Sequence, residues 1–401
     1  MTPSSQLPWK PWHQVVTLRD DLRTGELTLN QFAADLHEVL MQSGKRPLYE
    51  DPRQFFALTY PTHNLRELAR DVALRLAGQN DKAVQQLELT YGGGKTHTLI
   101  TLRHLFHDPV NLPTLPAVDE FVQHIGQTPP RARVVALCFD KLDLEIGLEV
   151  RALDGQIRRL KQPWSLLAYQ LAGDAGLAQM RDDGQAEERA TAPAESVIGP
   201  LLESVTQQGL SVLVLIDEVM MYARGKYGQD PKGWDALIDF FQGLTQAIVK
   251  TPRCAVIASL LASDPDKNDT LGRRLQGQLY DIYRRQSESA VEPVVKEDAA
   301  EVLRRRFFTP ESIRDRNAFK PHVIAALKGI QVFDDSAKGK KVENDFVQSY
   351  PFHPDLTEVF YTTSPDQSPP VRGVRLRADG QGTQVGRPLR RGRRRVFGLP
   401  R

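Results

Sequence analysis

The sequence predicts an α/β protein in which a parallel sheet is flanked by helices, with a helical N-terminal module and a partial helical C-terminal lid. Three observations point to it. Residues 133–139 (RVVALCF), 210–216 (LSVLVLI) and 253–261 (RCAVIASLL) are largely apolar runs, the composition of strands buried on both faces. Amphipathic helical stretches separate these runs, and that alternation argues for parallel βαβ units. A glycine turn, Gly92-Gly93-Gly94-Lys95-Thr96, sits between the first expected strand and the helix after it.

Residues 1–80 read as the helical module. After Pro8-Trp9-Lys10-Pro11-Trp12, Thr28 and Gln31 fit a capping box ahead of Leu29, Phe32, Leu36, Val39 and Leu40, which recur at helical spacing. A second helix is expected from about Asn64, with Leu65, Leu68, Val72 and Leu76 on one face and Gly78 as its stop. Residues 81–295 form the α/β core. Its first strand is expected at residues 83–90, the glycine turn follows, and Leu99, Leu102 and Phe106 mark the next helix. Further helices are expected at residues 196–208 and along Trp234, Leu237, Ile238, Phe241, Leu244 and Ile248. Residues 173–193, polar and rich in Gly, Ala and Glu, read as a surface insertion. Residues 297–308 (EDAAEVLRRRFF) and 321–327 look helical and begin a partial lid over residues 296–363.

Of 401 residues, 52 are Lys or Arg and 50 are Asp or Glu, a net charge of +2 that hides an asymmetry. Residues 364–401 hold 10 Arg, no Lys and two acids, so the preceding 363 carry 42 basic against 48 acidic side chains. This tail, with six Gly and five Pro, cannot bury enough surface to offset its ordering entropy and is expected to be disordered. Two origins are open for it. The abrupt gain of Arg and the loss of periodicity point to out-of-frame translation after a truncation or frameshift near Thr363. The rival is a basic arm that contacts nucleic-acid phosphates. No apolar run approaches the ~18 residues of a membrane helix, and residues 1–7 hold no apolar stretch of signal-peptide length. A cytoplasmic location without a membrane partner is therefore expected. Two cysteines, Cys138 and Cys254, are too few for a disulfide scaffold or a cysteine-rich zinc module.

Three successive glycines let backbone N–H groups turn toward a polyphosphate with no side chain in the way. Lys95 would then reach the β/γ-phosphate oxygens, and the Thr96 hydroxyl would ligate Mg²⁺. The usual phosphate loop has its first glycine where this chain has Leu89, so a plain glycine turn is the competing reading. The run at residues 212–216 ends in Asp217-Glu218. In phosphate-loop ATPases a carboxylate at this strand end holds Mg²⁺ and its neighbour polarises the attacking water; a solvated strand end is the bland alternative. Both features fall at the carboxyl ends of parallel strands, where open α/β sheets bind ligands.

Together they make the expected fold a phosphate-loop NTPase with ATP and Mg²⁺ as cofactors. Tyr91, Gly92, Gly93, Gly94, Lys95, Thr96 and His97 are assigned to the nucleotide, Thr96 and Asp217 to the metal, and Lys95, Glu218 and Ser259 to catalysis. Ser259 or Ser263, after the third run, would sense the γ-phosphate or simply be satisfied within a turn. Tyr91 stacks on a base or packs beside the loop. Arg273, Arg274, Arg284 and Arg285 would present an arginine finger in a homo-oligomer, or form a solvated helix face. His97, His104 and His107 follow the loop without an acidic ligand pattern and read as ordinary helix residues, not a metal site.

On these residues the chain resembles a bacterial AAA-like ATPase family catalogued as domain of unknown function 499, over about residues 8–363. The likeness rests on Pro8-Trp9-Lys10-Pro11-Trp12, Asp51-Pro52-Arg53-Gln54-Phe55-Phe56 and Leu89-Thr90-Tyr91-Gly92-Gly93-Gly94-Lys95-Thr96-His97. It continues through Pro163-Trp164, Ala168-Tyr169-Gln170-Leu171, Leu215-Ile216-Asp217-Glu218 and Tyr350-Pro351-Phe352-His353-Pro354. The resemblance implies Mg²⁺-dependent ATP hydrolysis in an anti-phage or DNA-modification system, with DNA methylases or helicases of the same gene cluster as partners. It gives Lys95, Thr96, Asp217 and Glu218 the phosphate, Mg²⁺ and water-activating roles. That family tolerates the missing first glycine, but its members continue past the Tyr-Pro-Phe-His-Pro block in helical sequence, which here gives way to Arg-rich text. A nucleotide-binding scaffold with little hydrolysis and a phosphate-loop kinase remain alternatives.

Overall fold

The computed structural model of the chain describes residues 10–25, 33–87, 94–181, 187–229, 231–259, 270–285, 290–329 and 337–357. The expectations for Thr28, Gln31, Tyr91, Gly92, Gly93, Ser263 and the tail lie outside these residues. All described residues belong to one unit, Met1–Ser364.

Five short helices come first: α1 (Asp20–Thr24), α2 (Leu36–Met41), α3 (Pro47–Glu50), α4 (Pro52–Leu58) and α5 (His63–Leu76). Their starts are written locally. The side chains of Asp35, Asp51 and Thr62 accept hydrogen bonds from Glu38 N, Gln54 N and Leu65 N, and prolines open α3 and α4. The helix expected from Thr28 begins only at Leu36: residues 33–35 are not helical, and the Asp35 side chain caps the start.

Strand β1 (Val84–Leu87) leads through α6 (Lys95–His107) and α7 (Pro116–Ile125) to β2 (Ala132–Cys138). A hairpin follows, β3 (Leu148–Arg151) and β4 (Ile157–Leu160), then α8 (Pro163–Met180), α9 (Glu195–Thr206) and β5 (Ser211–Asp217). Next come α10 (Val219–Gln229), α11 (Pro231–Lys250), β6 (Cys254–Ser259), α12 (Thr270–Arg284) and β7 (Ala290–Val291). Helices α13 (Ala299–Phe307), α14 (Lys320–Gly329) and α15 (Ala337–Ser349) close the described chain. Residues 12–18 pack beside this last region, with Val16, Phe308, Ile313 and Phe319 in a satellite core.

The five-stranded sheet has the order β2-β5-β6-β1-β7, and all its pairs are parallel. Alternation along a strand divides its side chains between two cores. Val212, Val214 and Ile216 face a core with Leu202 of α9, Phe241 of α11 and Leu279 of α12. Leu213 and Leu215 face a second core with Leu102 of α6, Phe121 of α7, Leu68 of α5 and Phe56 of α4. The N-terminal helices thus share a core with the sheet.

Residues 173–180, read from sequence as part of a surface insertion, are the second half of α8. The helix bends where Gly173 adopts φ 60°, and Leu177 and Met180 are buried in the first core. Their spacing of three residues puts both on one helical face, which outweighs the small and polar residues around them.

The chain leaves β1 toward the far edge β2, then steps back through β5 and β6 to β7. Right-handed crossovers taken in opposite directions place their helices on opposite faces, as the two cores show. The carboxyl ends of the neighbours β1 and β6 therefore flank a switch point, the position where an open α/β sheet forms its ligand crevice. Among the described residues no helix is long and apolar enough to cross a membrane.

Candidate functional site

Gly94 stands immediately before α6, and its carbonyl accepts the first-turn hydrogen bond from Thr98 N at 2.7 Å. The N–H groups of Lys95, Thr96 and His97 lie in the first turn, where a helix has no internal partner for them. One residue into the helix, the Thr96 hydroxyl donates to Asp217 Oδ2 at 2.9 Å. That single bond joins two segments that sequence alone could only associate by type.

Asp217 ends β5 and is 4% exposed. Its main-chain carbonyl accepts Phe139 N, and its register partners are Cys138 on β2 and Ser259 on β6. Burial pushes its carboxyl up to about 6, against the Thr96 hydrogen bond that favours the charged form. Asp217 Oδ1 is buried and lacks a hydrogen-bond partner. A buried carboxylate oxygen without a partner is costly. This orphan beside a threonine hydroxyl fits a hard cation that takes few protein oxygens and the rest from phosphates and water, as Mg²⁺ does.

Ser259 is fully buried at the end of β6, in register with Asp217 on one side and Leu87 of β1 on the other. Its hydroxyl is close enough to lower the Asp217 pKa without meeting the geometry of a hydrogen bond. Lys95 is half-buried; burial lowers its pKa, while the charges of Glu218 and then Asp217 raise it. Glu218 is raised by burial and by Asp140, and Lys95 opposes the rise. The backbone of Glu218 has φ 54°, the left-handed region that a residue with a Cβ rarely occupies. Lysine, threonine and both carboxylates therefore lie close together at the carboxyl end of the sheet.

Two residues of this group were missed in the sequence. Asp140, just past β2, raises the pKa of Asp217 and Glu218. It pairs with Lys141 at 2.9 Å, and Lys141 also reaches Asp35 at 3.2 Å. The signal was available: Asp140-Lys141 follows an apolar strand, as Asp217-Glu218 does.

His97 requires a correction. Its side chain turns away from this group, stacks on Phe55 at 4.5 Å between ring centroids and lies 3.0 Å from Thr59 Oγ1. Since the Thr59 hydroxyl donates to Phe55 O, His97 Nε2–H is the donor of that pair. Only its main-chain N–H remains for a nucleotide. Arg273, Arg274, Arg284 and Arg285 are exposed on or just beyond α12.

The family model of the DUF499 N-terminal domain matches residues 13–270, more than half of the chain, which therefore belongs to that family. No curated protein and no solved structure matches it significantly.

Proposed function

We propose that this family member is a Mg²⁺-dependent ATPase of AAA-like, phosphate-loop type that converts ATP to ADP and phosphate. The observation that carries the reading is the 2.9 Å contact between Thr96 and Asp217, with Asp217 Oδ1 unpartnered beside it and Lys95 close by. First-turn N–H groups of α6 offer donors to phosphate oxygens, and the Lys95 ammonium adds a mobile positive charge. Thr96 and Asp217 would hold Mg²⁺. When bound, that ion would neutralise charge on the β/γ-phosphate oxygens.

Glu218 is the group to orient water and take its proton. Its carboxylate is made more basic by burial and by Asp140, and Lys95 opposes that rise. The buried Ser259 hydroxyl, between the strands of Leu87 and Asp217, would orient a phosphate oxygen. The wider setting, an anti-phage or DNA-modification complex with methylases or helicases as partners, rests on the family resemblance alone.

Phosphate release by the purified protein tests the proposal. Lys95→Ala should abolish both ATP binding and turnover. Glu218→Gln should keep binding but slow turnover by about 10²-fold or more, the usual contribution of a general base. Phosphate release unchanged by both substitutions would reject hydrolysis at this site. Tight, Lys95-dependent binding without turnover in the unaltered protein would favour the scaffold role.

A further inference from the structure

A cavity of about 330 Å³ lies along the open edge of the sheet. On edge strand β2 the odd-numbered residues bond to β5, through Arg131 O and Phe139 N at its two ends. Ala132, Val134, Ala136 and Cys138 therefore turn their main-chain groups outward, and all four line the cavity. The Gln170 side chain of α8 closes part of the edge, accepting from Ala136 N at 3.1 Å and donating to Ala136 O at 2.9 Å. Helix α2, the end of α6 and strand β3 complete the walls.

Those walls are strongly basic. Arg103 and His107 come from α6, Arg131 and Arg133 from the β2 edge, Arg151 from β3 and His37 from α2, and no carboxylate is among the lining residues. Among the described residues none of the four guanidiniums forms an ion pair. The Nε atoms of Arg133 and Arg151 are buried without a hydrogen-bond partner. Arg103 is 7% exposed and holds only His104 Nδ1, at 3.1 Å. Asp108, past the end of α6, is the carboxylate that raises Arg103 and His107, but its own Oδ2 accepts from Asn111. Burial lowers Arg103 and Arg133 to about 10, so both stay charged at neutral pH, whereas His107 falls to about 4 and is neutral.

Four guanidiniums gathered in a recess whose lining holds no carboxylate repel one another, and that raises the free energy of the protein. Guanidinium forks match phosphate oxygens two at a time. We propose that this cavity binds a small phosphate-bearing ligand, of oligophosphate or mononucleotide size, at a site separate from Lys95 and Thr96. The volume suits a small molecule. A single-stranded nucleic acid would call for stacking Phe, Tyr or Trp side chains, and none lines the recess. Cys138 lines it too and is the register partner of Asp217, so an occupant would sit one strand away from the proposed metal ligands.

Titration calorimetry on the full-length Lys95→Ala protein tests this with the first site disabled. The probes are sodium tripolyphosphate and ADP, each at low and at physiological salt. One-site binding is expected with at least one probe, weakened about tenfold or more by Arg151→Gln and, independently, by Arg131→Gln on the exposed rim. Either probe bound in this way sustains the proposal, and the tighter one tells a nucleoside phosphate from bare oligophosphate. Absence of binding by both probes overturns it, as does binding indifferent to both arginine substitutions. Displacement of tripolyphosphate by a ten-nucleotide single strand at lower concentration overturns it in favour of nucleic acid. Phosphate release by the Lys95-intact protein is read separately, so failure of this site leaves the ATPase reading standing.

Discussion

Glu218 adopts a conformation that its residue type disfavours. An L-residue in the left-handed region costs about 1–2 kcal/mol, and such strain persists where surrounding structure enforces it, commonly at functional sites. Glu218→Gly should therefore raise stability by roughly 1 kcal/mol in urea melts while eliminating phosphate release. Lost stability would show that the Glu218 side chain holds the strand end in place and that strain is not its main effect. Lys95, Thr96 and Asp217 were legible because a glycine turn and a strand-ending acidic pair are local patterns. The strain at Glu218 was not, since nothing in its residue type announces φ 54°. His97 was assigned by adjacency to the loop, yet each helical residue turns about 100° from the last. Thr96 meets β5, and His97, one step on, meets α4.

At the scale of elements, α6 packs on α4 through neutral imidazoles. His104 Nε2–H donates to Tyr49 O at 2.8 Å, which leaves Nδ1 to accept from Arg103. Burial, followed for His97 by Arg306 and for His104 by Arg103, lowers both histidines to about 3. Unfolded imidazoles titrate near 6.5, so between pH 6.5 and 3 the unfolded chain binds more protons and stability falls as the pH drops. Urea melts at pH 7 and 4.5 should show a loss of several kcal/mol, to which His107, lowered to about 4, also contributes. His104→Gln should reduce the size of that loss. An equal loss with and without His104 would mean that other groups govern the acid response.

The long elements were readable because their apolar residues recur over several turns or fill a whole strand. The hairpin β3–β4 was not. Four residues per strand, with Glu149 paired to Arg159 at 2.8 Å on the outer face, give too short an alternation to stand out. Arg75 escaped notice for a related reason. It looked like one more charged residue of α5, yet its guanidinium is buried and donates to Cys254 O, Ile248 O, Val249 O and Thr251 O, tying α5 to the turn before β6.

For the molecule as a whole, strand order decides what the motifs do together. Apolar runs show that strands exist but not which lie side by side. The excursion from β1 to the far edge separates the loop strand from the acidic strand by one position, and β6 fills the gap with Ser259. The same excursion leaves β2 as an open edge, where Gln170 and the arginine-lined recess lie. The positions of both proposed sites thus follow from one topological choice, invisible to any local pattern. The most direct test of the central reading is a crystal structure of the full chain with Mg²⁺ and a non-hydrolysable ATP analogue. The expected result places the phosphates against Lys95 and the first turn of α6, with the ion in contact with Thr96 Oγ1 and facing Asp217. An analogue bound elsewhere, with the Thr96–Asp217 hydrogen bond intact and no ion beside it, would contradict that reading.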